Sequence, residues 1–433
     1  MIQELKIKNY LSFKDEVVFN FEASNDKFAD ECQVIKINDN TRLLRFAVIY
    51  GYNASGKTNL LKAFDFLRKF WFNYSDDMDE ETNTIPFKLD NKRPSEPSRF
   101  ELVFYVNEVK YSYILELDQK QVYFEKLSYY RSTQPVMLFE RTFDNGQSII
   151  DFNPNADKIS NAAKEKITVE CLRNVSFFAA RQRANVNLPI IDAARDWMKN
   201  HFMPLIAPTT DLTMYAEKQN KENSELSKHI ITFLKEADFN ITNISTDIIS
   251  RPLPEDTLNL LIDDEDIPDK EKERLKKEKT IKISRTVFEH TVENDNGKES
   301  YTLNRRYESM GTLRTFGIET ALYNALKHSS FLPIDEFETS LHPKLLEKIL
   351  FEYLKTPART QVIVATHNDG LLDLINNLIR KDSVWFSEKG KDGATDIYKL
   401  TDFRGINRIS SIREAYRSKR FGATMNSLWE NEI

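Results

Sequence analysis

Gly51-Tyr-Asn-Ala-Ser-Gly56-Lys57-Thr58 fits the pattern G-x-x-x-x-G-K-[ST]. It follows a short apolar run, Arg45-Phe-Ala-Val-Ile-Tyr50, and precedes residues 59–72, whose apolar side chains recur at helical spacing. Strand, glycine turn and helix in that order are the context in which such a loop wraps a polyphosphate. The glycines let the backbone bend, so that N–H groups from Asn53, Ala54, Ser55 and Gly56 point at phosphate oxygens beside a helix N-terminus. Lys57 would neutralise β/γ-phosphate charge, and the Thr58 hydroxyl would ligate Mg²⁺. Only 11 of the 433 residues are glycine, so a chance match to this spacing is rare.

Composition narrows the class. With 61 basic and 67 acidic side chains the formal net charge is −6, and the length suggests two or three domains. Hydrophobic residues make up 40% and charged residues 30%, the balance of a chain that folds. The longest apolar runs are strand-length, far short of the roughly 18 residues a membrane span needs. That excludes a transmembrane protein. The opening Met1-Ile-Gln-Glu-Leu-Lys-Ile-Lys alternates charged and apolar residues, so no export signal is expected. Two cysteines, Cys32 and Cys171, cannot build a disulfide framework or a four-ligand zinc site. A cytoplasmic protein without membrane contact is the expectation.

Three further patterns share the loop's chemistry. Phe331-Leu-Pro-Ile-Asp335-Glu336 ends an apolar strand in adjacent carboxylates, where a parallel sheet presents ligand-binding groups. Asp335 would hold Mg²⁺ through its water shell, and Glu336 would polarise the attacking water as general base. Val362-Ile-Val-Ala-Thr366-His367 is a second buried strand, expected beside the first and ending in a histidine near the γ-phosphate. Tyr307-Glu-Ser309-Met-Gly311-Thr312 precedes a helix, with Ser309 or Thr312 able to cap it and Gly311 freeing the backbone to approach an anion.

Around these motifs, residues 2–21 read as a hairpin and residues 100–150 as an antiparallel sheet. Helices near 312–327, 343–354 and 370–379 alternate with strands at 331–334 and 361–365, which implies a parallel sheet. Residues 196–304 differ: helical runs, then Asp263-Asp-Glu-Asp266, then mixed charge at 270–279, read together as a mostly helical, solvated insertion. Residues 402–420 carry Arg404, Arg408, Arg413, Arg417, Lys419 and Arg420 against Asp402 and Glu414. Such a run is a solvated helix face or a contact for a partner or DNA. The division expected is 1–195, 196–304 and 305–433.

In this order of motifs the chain resembles the ATP-binding-cassette type ATPases of the RecF, SMC and OLD kind. Residues 51–58 match their phosphate loop, 308–312 their signature motif, and 331–336 their acidic strand. Glu338-Thr-Ser-Leu-His342-Pro343 matches the D-loop, His367 the switch histidine, and Leu5-Lys-Ile-Lys-Asn-Tyr-Leu-Ser-Phe-Lys14 the opening strand and turn. Asp335-Glu-Phe-Glu-Thr-Ser-Leu-His-Pro343 with Arg420-Phe-Gly-Ala423 more closely resembles the AbiL/RloA group of bacterial phage-defence ATPases. The resemblance implies an α/β ATPase head, a mixed sheet with an antiparallel β subdomain, using ATP and Mg²⁺. It places Asn53 to Thr58, Ser309 and Gly311 at the nucleotide, Thr58 and Asp335 at the metal, and Glu336 and His367 in catalysis.

It also implies a homodimer or higher homo-oligomer, in which Ser309 and Gly311 of one subunit complete the site of the other. Three departures stand out. The signature reads Ser309-Met-Gly311-Thr rather than Ser-Gly-Gly-Gln; the candidate Q-loop glutamine is Gln182; and the insertion lacks the heptads of a coiled-coil arm. OLD nucleases append a TOPRIM domain with an Asp-x-Asp, and none follows His367. The expected function is therefore the sensor or regulatory ATPase of an anti-phage system, with a nuclease or toxin effector encoded separately. The alternatives are a RecF-like DNA-repair ATPase that binds DNA and a small-molecule P-loop kinase.

Overall fold

A computed structural model describes residues 1–237, 239–263 and 269–424; the acidic residues 264–266 lie outside the described residues. The chain divides into two units: Met1–Thr209 with Asn324–Thr339 and Leu346–Ile433, and Thr210–Tyr323 with Ser340–Leu345. No described helix is long and apolar enough to cross a membrane.

The first unit is built on a five-stranded sheet ordered Phe331–Ile334, Gln361–Ala365, Phe46–Tyr50, Val384–Lys389, Thr395–Lys399. The first four strands run parallel, and the last pairs antiparallel to its neighbour. Phe46–Tyr50 and Gln361–Ala365 are buried at every residue, as continuous apolar runs require in a parallel sheet covered on both faces. This order brings the carboxyl ends of the Tyr50, Ile334 and Ala365 strands to one edge, where the phosphate loop, Asp335 and His367 follow.

Helix Lys57–Phe70 lies between this sheet and a seven-stranded antiparallel one. Phe64 packs on Phe331 with ring centroids 4.9 Å apart, and Phe66 stacks on Phe100 at 5.1 Å. The antiparallel sheet runs from Gln147–Phe152 through the strands of residues 98–144 to the hairpin Ile2–Lys8 and Val17–Asn20 at its other edge. The first unit is thus a mixed α/β layer with an antiparallel β subdomain.

Three elements of this unit differ from the sequence reading. Residues 370–379 form no α-helix; a 3₁₀ turn, Asp369–Leu374, takes their place. The Asn368 side chain caps it by accepting from the Gly370 N–H, and Arg413 and Arg417 grip Asp369, so the turn is fixed before a helix can propagate. The strands Val384–Lys389 and Thr395–Lys399 that complete the sheet also went unread.

The second unit carries helices Thr213–Glu222, Ser224–Glu236, Glu255–Asp263 and Asp269–Glu278. It also holds a three-stranded antiparallel sheet, Ile241–Pro252, Thr280–Asn294 and Gly297–Asn304. The 196–304 segment is therefore a mixture rather than mostly helical. Thr280-Ile-Lys-Ile and Thr286-Val-Phe-Glu-His-Thr-Val292 are rich in β-branched and aromatic residues, and charge taken over a wider window hid that strand preference. In this unit Phe288 meets Phe316 edge-on at 5.8 Å.

Candidate active site

The phosphate loop depends on two close approaches. Gly56 has φ +111°, and a Cβ there would lie 2.3 Å from Thr395 Oγ1. At Gly51 a Cβ would lie 2.4 Å from the Ser387 carbonyl oxygen. The loop is thus pressed against the two strands after His367. The Ser55 carbonyl accepts from Ser387 Oγ at 2.9 Å and lies 2.8 Å from Thr395 Oγ1, which also lies 2.8 Å from Ser12 Oγ. Asn59 Nδ2 donates to Ser12 Oγ at 2.8 Å, and the Tyr52 hydroxyl bonds both the N–H and the C=O of Lys389.

Lys57 Nζ donates to the carbonyls of Gly51 at 2.8 Å and Tyr52 at 3.1 Å, and lies 3.5 Å from His367 Nδ1. Burial pushes the ammonium down to about 8, against the pull of Asp335, Glu338 and Glu336. A buried cation that donates to loop carbonyls is one that anionic oxygens would satisfy better. The Thr58 hydroxyl bonds the buried Asp335 carboxylate. Burial raises Asp335 above the usual carboxylate range, opposed by that bond and by Lys57. Among the described residues no group of three or more His, Cys, Asp or Glu forms a ready-made cage. A hydroxyl beside one carboxylate instead fits Mg²⁺, which keeps waters and takes its other ligands from phosphate.

A cavity of about 410 Å³ is lined by residues 53–59 together with Glu336, His367 and Lys389. Glu336 stands in the left-handed region at φ +44°, a strained backbone of the kind that collects at functional sites. Its N–H donates to Asp335 Oδ1 at 3.1 Å, and Thr339 Oγ1 approaches its Oε2 at 3.4 Å. Burial and the Lys57 charge hold His367 below the usual histidine range, which keeps the imidazole neutral at pH 7.

Ser309 and Gly311 lie in the other unit. Ser309 caps helix Met310–His328: its Oγ accepts from the Thr312 N–H at 3.0 Å and lies 2.8 Å from Thr312 Oγ1. Ser309 and Met310 are exposed, and a Cβ on Gly311 would lie 2.8 Å from the Ser340 carbonyl oxygen. Glu308 is held by His290 Nε2 at 2.8 Å.

Gln182 is exposed after the short helix Phe177–Arg181 and does not line the cavity. Sequence reasoning missed Asn59 and Lys389, which do. Asn59 directly follows the loop motif and could have been read with it; Lys389 belongs to no motif. It also missed Glu338 as a contact of the histidine strand, although it is the third carboxylate of Asp335-Glu-Phe-Glu338. Of the basic 402–420 run, Arg413 pairs with Asp369 and Asp373 and Arg417 with Asp369, so two of its cations are committed within the chain.

A family model described as AAA domain, putative AbiEii toxin, Type IV TA system matches residues 46–373. No curated protein matches the chain. Among solved structures, the SMC head domain from Thermotoga maritima is similar at 13% identity and TM-score 0.39, over 92% of this chain and 98% of that one. An SMC head bound to the C-winged helix domain of ScpA gives 13% identity and TM-score 0.43, over 96% and 99%. An SMC head with an extended coiled coil, bound to the C-terminal domain of ScpA derived from Pyrococcus furiosus, gives 12% and 0.39, over 97% and 98%.

Proposed function

This chain belongs to the AAA-domain family described as putative AbiEii toxin, Type IV TA system, and on that premise we propose that it is an ATP-hydrolysing, Mg²⁺-dependent ABC-type ATPase that dimerises on ATP. Its role is that of the sensor or regulatory subunit of a bacterial anti-phage system of the AbiL/RloA kind, acting through a separately encoded nuclease or toxin. The observation that carries the reading is the cavity that joins the loop, Lys57, Glu336 and His367, with its Thr58 bonded to Asp335.

The backbone N–H groups of residues 53–56 and the Lys57 ammonium bind the polyphosphate. Thr58 and Asp335 would hold Mg²⁺, which would supply charge neutralisation to the bound polyphosphate. Glu336 accepts the proton of the attacking water, and the neutral His367 ring, whose Nδ1 lies 3.5 Å from Lys57 Nζ, would contact the γ-phosphate beside that lysine. Ser309 and the Gly311 backbone, at an exposed helix start, complete the site of a second copy. Dimer closure is then the two-state element that an effector reads by binding one state more tightly.

The docking candidates are the 196–304 segment and the basic 402–420 run. In that run Arg413 and Arg417 tie the surface to Asp369, two residues after His367. These pairs also leave fewer free cations for DNA, and no observation favours the DNA-repair alternative over the defence reading. The test is purification of the tagged protein from its native host, with ATPase and nuclease assays on the lone chain and on co-purifying chains. Turnover of ATP that rises in specific activity with concentration, with nuclease or toxin activity only in the complex, is expected. Metal-dependent cleavage by the lone chain that survives Lys57→Ala would overturn the separate-effector reading.

A further inference from the structure

We propose that Glu338 is a positioning residue that sets Glu336 and His367 in register with each other by clamping the end of the histidine strand. The inference rests on the ATPase reading for its consequence and on hydrogen-bond geometry for its substance. Strands Phe331–Ile334 and Gln361–Ala365 are neighbours, but their ladder ends at the pair Ile334 and Val364. The two residues assigned to chemistry therefore sit beyond the sheet on separate chain ends, and Glu336 is turned out of it by its left-handed backbone.

The chain returns at once. The Phe337 N–H donates to the Ala365 carbonyl at 3.1 Å. The next side chain reaches across: Glu338 Oε2 accepts from Thr366 Oγ1 at 2.7 Å, and Oε1 accepts from the His367 N–H at 2.5 Å. Thr366 Oγ1 meanwhile accepts from the Asn368 N–H at 3.0 Å, which leaves its proton to Glu338. An ionised carboxylate, an acceptor on both oxygens, satisfies both donors at once, and charge-assisted bonds of this kind are about twice as strong as neutral ones. Glu338 does not line the cavity, so its effect passes through the residues that do. The far side of the turn is braced separately, by Asn368 on Gly370 and by Arg413 and Arg417 on Asp369.

The test pairs two substitutions with two readouts. Glu338→Ala removes both bonds; Glu338→Gln keeps a carbonyl oxygen for the His367 N–H. A misplacement near 1 Å costs about 100-fold in rate, so Glu338→Ala should lower kcat by about that factor with ATP affinity unchanged, and Glu338→Gln should restore most of it. Amide hydrogen exchange gives the second readout. The His367 N–H, on an otherwise exposed residue, should be protected in the wild type and in Glu338→Gln and exchange about 10- to 100-fold faster in Glu338→Ala.

Unchanged kcat in Glu338→Ala, equal losses in both variants, or a freely exchanging His367 amide in the wild type overturns the clamp. If Glu338→Ala does not fold, Thr366→Val against Thr366→Ser makes the comparison from the other partner: the valine variant should lose kcat and the serine variant keep it, and equal rates overturn the proposal. A wild type that hydrolyses no ATP while its His367 amide is protected sinks the ATPase reading and leaves the clamp standing.

Discussion

Replacing Gly56 with alanine should cost the protein its nucleotide by two separable routes. Gly56 holds φ +111° and ψ 4°, where side-chain-bearing residues are strained by about 1–3 kcal/mol. The added Cβ would also meet Thr395 Oγ1 at 2.3 Å, Cγ2 at 2.6 Å and Cβ at 2.9 Å. Overpacking of that kind costs about 1–3 kcal/mol. If both fall on the loop conformation, nucleotide affinity drops by at least about 30-fold, at roughly 1.4 kcal/mol per factor of ten. Thr395→Ala removes Oγ1 and Cγ2 but not Cβ, and by itself costs about 1 kcal/mol through the bonds shared with Ser55 and Ser12. The double variant should then recover part of the packing cost and none of the backbone cost, a coupling of about 0.5–2 kcal/mol. Calorimetric ATP titration of the four proteins, with thermal melts to confirm folding, measures the cycle. Strictly additive costs, or unchanged affinity in Gly56→Ala, would refute the view that the Thr395 strand shapes the loop.

Three other outcomes follow from the site. Glu336→Gln should bind ATP normally and hydrolyse it at least about 100-fold more slowly, read as phosphate release at saturating ATP; near-normal turnover would assign the base elsewhere. Lys57 is charged below about pH 8 in the free protein, and polyphosphate favours its charged form. ATP affinity should therefore be flat below pH 8 and fall roughly tenfold per unit just above it, with proton uptake on binding at pH 9 but not at pH 7; calorimetry in two buffers of different ionisation enthalpy decides, and equal affinities at pH 7 and 9 would contradict it. Mixing Lys57→Ala with Ser309→Arg chains should restore some activity, because one of the two shared sites then carries neither change; no recovery at any ratio would argue against sites shared between subunits.

The loop was legible because its information is local: two glycines, a lysine and a threonine between a buried strand and an amphipathic helix. Asp335 and His367 were legible for a related reason, since each ends a short run that is apolar throughout and so belongs to a parallel sheet. What holds them in place was not. Ser387 and Thr395 meet the Ser55 carbonyl, and Thr395 meets Ser12, across more than three hundred residues of sequence, and a serine or threonine carries no mark of such a contact. Glu338 was hidden by the D-loop it begins. Helical spacing at 370–379 lost to the side-chain bonds of Asn368 and Asp369, and the charge of Arg413 and Arg417 was read as a solvated face or a partner contact because Asp369 and Asp373 lie some forty residues away. The strands from 280 to 304 were masked by the neighbouring charged helix, whose composition dominated the window.

The measurement nearest the central claim is Mg²⁺-ATP titration of wild type against Lys57→Ala. Removing the ammonium takes away a charge-assisted contact worth roughly 1.5–3 kcal/mol, more when desolvated as here, and leaves the Gly51 and Tyr52 carbonyls without their donor. The account predicts saturable binding and turnover by the wild type, and loss of both in a variant whose fold is intact. Wild-type affinity for ATP in folded Lys57→Ala would contradict it, because the cavity at residues 53–59 would then not be where the nucleotide sits.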